Sequence, residues 1–402
     1  MASSASSSPH ATAASFRRLV WQGSVPVSIR LAQDTPPVQS GGVDAYFIQA
    51  PRQSYLPLLL QDIRENLVEL ALDDQALAAT RQQDWWFEDE AGSGITRWHW
   101  PIGLLYDHSI INDPSRSPTI GTTPSSPTAP LRLILHLSNP PAEKLLLSNS
   151  IDACRLAFMS AIKEADFVRW GNVKRVTGLR KLDQDSLWDG LRANDFDLHA
   201  KVASRILPLP NFSPNSSDHG SSQPPSTHLL APTSRQHLSR PPSTEPDSTS
   251  SGGNSSLASP NGKPDSANAV RSVPIKIHLP EAAGVLQGVV PPSEPNGTPT
   301  TIHSYLHSSI PLLFPNPPSS LTPSTLSTPS PSLDPSSSLF VPPYTHPGSH
   351  TQPSTSTSTS AYTLAYPIIQ GIVPPPETEI AWLGACLVGA DGWLAICIGM
   401  NA

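Results

Sequence analysis

The chain has 402 residues, 47 of them Pro, with 14% charged residues and a formal net charge of -7. That length suits two to three small domains, but the prolines and serines cluster, so the ordered part is shorter than the chain. No basic patch is large enough for a nucleic-acid-binding surface, and the densest cationic run, residues 174–181, reads as a solvated loop or a local protein contact.

Residues 1–14 read as disordered, and residues 16–21, apolar and basic, as a short helix. Val25, Val27, Ile29 and Leu31 alternate, which argues a half-buried strand. A Pro/Gly-rich turn leads to a second strand at residues 45–48. Residues 58–72 then carry Leu59, Ile63, Leu67 and Leu70 at helical spacing. Short strands are expected at residues 84–88, 96–98 and 102–106, a loop at 109–130 and another strand at 131–137. Two strands, a helix and further strands is the order of a ubiquitin-like β-grasp. The aromatic cluster Trp85, Trp86, Phe87, Trp98, His99 and Trp100 reads either as core or inter-domain packing, or as a partner-binding face, since Trp is enriched at interface hot spots.

Residues 148–171 are the clearest helix in the chain. Ser148 or Ser150 serves as N-cap and Asp152 puts negative charge in the first turn, where free backbone N–H groups favour it. Gly171 suits a left-handed stop. Ile151, Cys154, Phe158, Ile162 and Ala165 fall on one face, and Lys163 lies about 100° off its centre, beside Met159, Asp166 and Trp170. Taken alone, Lys163 is a solvated lysine pairing with Asp166 or Glu164, a contact of little energetic weight.

Residues 174–181 form a polar connector, and residues 183–207 a second helical region with a break near Asn194. Its apolar positions are Leu187, Trp188, Leu191, Val202 and Ile206, so the middle domain is helix-rich. Residues 208–270 are Ser/Pro/Asn/Gly-rich and bury too little apolar surface to offset chain entropy. Order resumes with strands at 273–279 and 285–290, a short helix at 301–309 and the apolar run 310–314. After a second low-complexity stretch at about 315–360 come a strand near 364–372, a helix near 379–387 and a last strand at 393–398. This is the same strand–helix order, interrupted by an insertion of tolerable closure entropy. The expected fold class is α+β: two ubiquitin-like β-grasp domains, at 15–140 and 271–402, flank a helix-rich domain at 141–207, with the linker at 208–270 disordered.

The chain offers no GxSxG, P-loop, HExxH or strand-placed GxGxxG motif, and no catalytic residue, cofactor or metal site is expected. His99 and His136 read as structural, and Glu88, Asp89 and Glu90 as a solvated turn. Cys154, Cys386 and Cys397 form no CxxC or Cys/His spacing and suit a reducing compartment. No window of about 18 apolar residues exists, so no transmembrane helix is expected. The Ser/Ala-rich start with Arg17, Arg18 and no acid before Asp34 resembles a mitochondrial transit peptide, a reading opposed by the folded character of residues 20–31.

Several blocks together resemble the autophagy protein five family. RRLVWQGSVPV (17–27) resembles its opening segment, and YFIQAPRQSYLPLL (46–59) its next block. WWFEDE and WHWPIGLLYD (98–107) follow, then FMSAIKEAD around Lys163, SLWDGLRANDFD, QGIVPPPETEIAWL and DGWLAICI, all in the family's order. The resemblance implies that Lys163 is a conjugation acceptor, joined by an isopeptide bond to the carboxyl-terminal glycine of a ubiquitin-like modifier, autophagy protein twelve, by dedicated activating and conjugating enzymes. It further implies a coiled-coil partner, autophagy protein sixteen. The assembled complex would act like a ligase in transferring a second ubiquitin-like protein to phosphatidylethanolamine, at the preautophagosomal membrane, where attachment is peripheral and partner-mediated. The chain itself is then non-enzymatic, cytoplasmic and does not bind nucleic acid. The two Ser/Pro-rich insertions depart from the compact family pattern.

Two other readings follow from the residues. The Pro-rich segments suit an adaptor recruiting SH3 or WW domains without conjugation. A thiol-based transfer enzyme would use Cys154.

Overall fold

The computed structural model describes residues 9–33, 43–90, 94–112, 129–145, 150–209, 270–280, 284–315 and 364–401. Most of the 208–270 linker and of the 315–360 insertion, most of the 109–130 loop, and residues 1–8 lie outside the described residues.

The first sheet is built on β1 (Ser24–Leu31), whose Val25, Val27 and Ile29 are fully buried. β2 (Tyr46–Pro51) pairs with it antiparallel. β3 (Trp86–Asp89) and β4 (Gly94–Ile95) form a small hairpin, and β5 (Leu131–His136) runs parallel to β1 with Ile29 opposite Leu133. The strand order is β2-β1-β5-β3-β4. Leu131, Leu133 and Leu135 face the same core as the β1 residues. Helical turns at Leu56–Leu58, Leu60–Ile63, Arg64–Val68 and Glu69–Ala71 cross that face. The Arg64–Val68 turn is a π-helix. Its wider winding brings Ile63, Leu67 and Val68 inward together and leaves Leu70 55% exposed, out of the stripe that simple helical spacing predicts.

Residues 102–106 are not a strand. They open α2 (Ile102–Asn112), a helix apolar nearly all round. The reason is burial on two sides. Ile102, Leu105 and Tyr106 enter the first core, while Ile111 is buried in the second core and Leu104 packs against it. A short apolar run carries no period that separates a buried strand from a buried helix. At the start of the chain, α1 (Pro9–Gln22) begins earlier than expected, within residues read as disordered, and Ala13 packs into the second core.

In the middle region, α3 (Ile151–Trp170) starts at Ser150, whose Oγ accepts from Ala153 N at 3.1 Å. It ends at Gly171, left-handed at φ 75°, with its N–H bonded to Phe167 O at 2.7 Å. Cys154, Phe158 and Ile162 are buried against Leu187, Trp188 and Val202 of α4 (Lys181–Arg192) and α5 (Phe196–Ala203). Ile151, expected on the buried face, is exposed. The break between α4 and α5 falls at Asn194, at φ 52°, and Asp195 caps α5 through Leu198 N at 3.0 Å. Gly190 lies inside α4, where a Cβ would meet His199 N at 2.7 Å, so its role is close helix packing rather than a break. The connector carries one helical turn, Lys174–Thr177, with Val176 buried.

The second sheet contains β6 (Val273–His278), β7 (Val285–Val290), β8 (Ala365–Ile368) and β9 (Leu394–Met400), ordered β7-β6-β9-β8. β6 and β9 are parallel, with Ile275 opposite Leu394. Two helices, α6 (Ile302–Ser309) and α7 (Ile380–Cys386), bury Ile302, Leu306, Ile380 and Leu383 against it. Two mixed sheets, each with a parallel central pair, flanking a helical region give the α+β, two-domain ubiquitin-like architecture expected from the sequence.

Candidate functional site

The residue singled out in the sequence, Lys163, is exposed on α3. It lines a cleft of about 340 Å³ together with Glu164, Phe167, Val173, Gln287 and Trp393. The helix supplies one wall, while Gln287 of β7 and Trp393, just before β9, supply the other.

The wall is fastened to the helix on both sides of Lys163. Trp393 Nε1 donates to Ala161 O at 3.0 Å. Arg169, 1% exposed, donates from Nη2 to Gly392 O at 2.7 Å. Its own carbonyl accepts from Arg271 N at 2.9 Å, and Ser272 Oγ donates to Val168 O at 2.5 Å. These bonds join residues two before and five to six after Lys163 to the second domain, fixing the azimuth of the helix. Burial lowers the Arg169 pKa to about 10, opposed by the charge of Asp166.

The carboxylates beside Lys163 divide. Glu164 is exposed on the cleft. Asp166 is fully buried and accepts from Val176 N at 3.3 Å, with burial raising its pKa, so it is not the solvated partner its sequence position suggests. None of the ion pairs among the described residues includes Lys163.

The junction between the sheets is held by residues that sequence reading passed over. Arg52 Nη2 lies 2.5 Å from Asp107 Oδ2, both side chains nearly buried, and donates to Gly103 O at 3.2 Å. Asp107 also accepts from Gly371 N at 3.0 Å; burial raises its pKa against the pull of Arg52. Gln53 Oε1 accepts from Ala390 N at 2.9 Å, and its Nε2 donates to Gln370 Oε1 at 3.1 Å. Arg17 of α1 donates from Nε to Ala385 O at 2.7 Å. Every one of these bonds joins residues 51 or more positions apart, and no local pattern announces them.

The aromatic cluster is split among three environments. Trp85 and Phe87 enter the first core, Trp98 joins the helical cluster and Trp100 reaches the junction. Trp86 stacks on His136 at 3.9 Å, and His136 Nε2 lies 3.1 Å from Glu88 Oε2. His99 sits elsewhere, its pKa lowered to about 4 by burial and by Arg97 and Lys276, so the two histidines share no site. Cys154 is buried, and desolvation pushes its thiol up to about 12. At neutral pH it is an unreachable thiol, not a thiolate, which removes the basis for a thioester-forming role. Among the described residues no cluster of His, Cys, Asp and Glu could hold a metal ion, and no helix is long and apolar enough to cross a membrane.

Family models match three consecutive parts of the chain: "Autophagy protein ATG5, UblA domain" at residues 20–137, its alpha-helical bundle region at 151–209 and its UblB domain at 272–398. An "Autophagy protein 5" from Penicillium rubens is 33% identical over 202 residues, covering 49% of this chain and 61% of that relative. One from Neosartorya fischeri is 34% identical over 232 residues, covering 52% of this chain and 68% of that relative. The chain thus spans about three-fifths of the length of the Penicillium relative. The crystal structure of Kluyveromyces marxianus Atg5 superposes with a TM-score of 0.54 at 16% identity, covering 95% of this chain and 98% of that one, a likeness of fold. With all three domain models matched in order along the chain, it belongs to the autophagy protein 5 family.

Proposed function

We propose that, within the autophagy role its family supports, this chain is a non-catalytic conjugation acceptor and scaffold, with Lys163 as the acceptor. The observation that carries the reading is an exposed lysine on a cleft, mounted on a helix clamped by the second domain on both sides of it.

The Lys163 amine attacks the thioester that joins the carboxyl terminus of a ubiquitin-like modifier, autophagy protein twelve, to its conjugating enzyme. The lysine nitrogen bonds to the thioester's acyl carbon to form the isopeptide bond, the C–S bond breaks with the enzyme's thiolate leaving, and the nitrogen loses a proton. An ordinary lysine amine is protonated at neutral pH, so the attack needs a base or desolvation. Among the described residues the cleft contributes only Glu164 as a carboxylate, on its exposed side, so proton removal falls to the conjugating enzyme. What the chain contributes is position: fixing a nucleophile before encounter removes orientational entropy from the barrier. The conjugate then binds the coiled-coil protein, autophagy protein sixteen, and the assembly promotes lipidation of a second ubiquitin-like protein at the preautophagosomal membrane, to which it attaches peripherally.

A reconstituted conjugation of the full chain and of Lys163→Arg, resolved on a denaturing gel with reductant, tests this. The expected result is a reductant-stable shift in the wild type and none in the variant. Equal shifts in both overturn it.

A further inference from the structure

Beside the Lys163 cleft lies a second cavity of about 390 Å³, bounded by the second sheet, α3, α2 and the segments 52–55 and 99–101 of the first domain. Glu164, Gln287 and Trp393 line both spaces, so the two share a wall. The cavity has aromatic walls, Tyr55, Trp100, Phe158 and Trp393, and its size falls in the range of small-molecule sites.

Its polar lining is unusual. His278 is 2% exposed, and neither of its ring nitrogens has a hydrogen-bond partner. His99 Nδ1 is also buried without a partner. Leaving such a nitrogen unpaired is unfavourable. Cationic or protonatable groups gather behind the same wall. The Trp100 ring meets His278 at 4.5 Å and His108 at 5.4 Å, and the Arg97 guanidinium lies 4.5 Å over it. Lys276, beside His278 in the lining, holds its ammonium 4.2 Å from the Trp393 ring centre. Of the carboxylates, Asp107 is bonded to Arg52 through Oδ2 while its Oδ1 is buried without a hydrogen-bond partner, Asp391 accepts from Trp393 N at 3.1 Å, and Glu164 is on the exposed side.

We propose that this cavity is a binding site for a small oxyanion, a phosphate group, held by the Lys276 ammonium and the His278 and His99 rings, with the aromatic walls accepting an apolar body attached to it. The proposal does not depend on the role of Lys163. Burial and the nearby positive groups push His278 down to about 3 and His99 down to about 4, so both rings are neutral, and a bound anion supplies the countercharge their protonation lacks.

The test uses the full chain with two probes, inorganic phosphate and phenyl phosphate, against sodium chloride at matched ionic strength. Thermal unfolding and the NMR titration of the His278 ring are read together. The expected result is a phosphate-specific rise in melting temperature and an upward move of the His278 titration, larger for phenyl phosphate if the anion arrives on an aromatic body and equal for both if it arrives free. Lys276→Met is expected to weaken binding roughly tenfold or more, the loss of one hydrogen bond to a charged group. His278→Asn, which keeps a polar group, serves where His278→Phe fails to fold. A melting-temperature rise matched by chloride, an unmoved His278 titration, or undiminished binding in Lys276→Met overturns the site.

Discussion

The two ubiquitin-like domains follow one plan and differ in what covers the outer face of the sheet. In the first, the central strand β1 sends Val25, Val27 and Ile29 inward and leaves Arg30 exposed, paired with Glu90 at 3.2 Å. In the second, the equivalent strand β6 sends Ile275 and Ile277 inward, but Lys276 and His278 on its other face line the junction cavity. On its outer face the first strand buries Ser28, half-buries Pro26 and exposes Ser24 and Arg30; the second is covered on both sides. The second domain therefore provides the floor on which α3 and its lysine are mounted. The fold fixes the strand order in both, and the neighbours decide what each face does.

The comparison is broken most severely by Asp107→Ala on α2, the helix between the two cores. It leaves the Arg52 guanidinium buried without its carboxylate, an expected loss of about 3–5 kcal/mol in urea denaturation. Acid comes next. His278, His99 and His199 are held near 3, 4 and 4 by burial, below the ordinary 6.5. The unfolded chain takes up their protons first, so the stability they contribute is complete above pH ~6.5 and falls as pH drops toward ~4, by up to ~1.4 kcal/mol per pH unit for each ring. Asp107 and Asp391, raised by burial, act with the opposite sign, favouring the folded state as they protonate. His278→Phe isolates one ring, and its expected signature is a flatter stability profile between pH 6.5 and 4.

Trp393→Phe keeps an aromatic ring but loses the indole's pyrrole part with the N–H that Ala161 O accepts. The expected stability loss is about 1 kcal/mol, with slower enzymatic conjugation but unchanged acylation of Lys163 by a small amine-reactive ester. A loss of both would mean that the tryptophan affects the amine itself rather than its placement. The smallest pair sharpens the contrast directly: Lys276→Ala is expected to cost ~1 kcal/mol through its contact with the Trp393 ring, and Arg30→Ala only a few tenths, by urea denaturation.

Much of this was legible locally. Ser150, Asp152 and Gly171 mark the ends of α3, and Cys154, Phe158 and Ile162 mark its buried stripe, because caps and helical period are properties of adjacent residues. The alternation in β1 is equally local. What could not be read was decided at a distance. α2 is a helix because two cores need it covered on both sides, and its apolar run has no period to report that. The π-turn at Arg64–Val68 shifted a leucine stripe by one position. Asp166 looked like a surface partner for Lys163, yet the helical turn ten residues on takes its carboxylate inside. The clamp itself comes from residues more than 200 positions away in Trp393 and Gly392.

The most direct measurement is mass-spectrometric mapping of the branched peptide in the conjugate made from the full wild-type chain. The expected result is a single dominant branch at Lys163, carrying the modifier's carboxyl-terminal residues on the side-chain nitrogen. A dominant branch at Lys144, Lys174, Lys181 or Lys201, with Lys163 unmodified, would contradict the account.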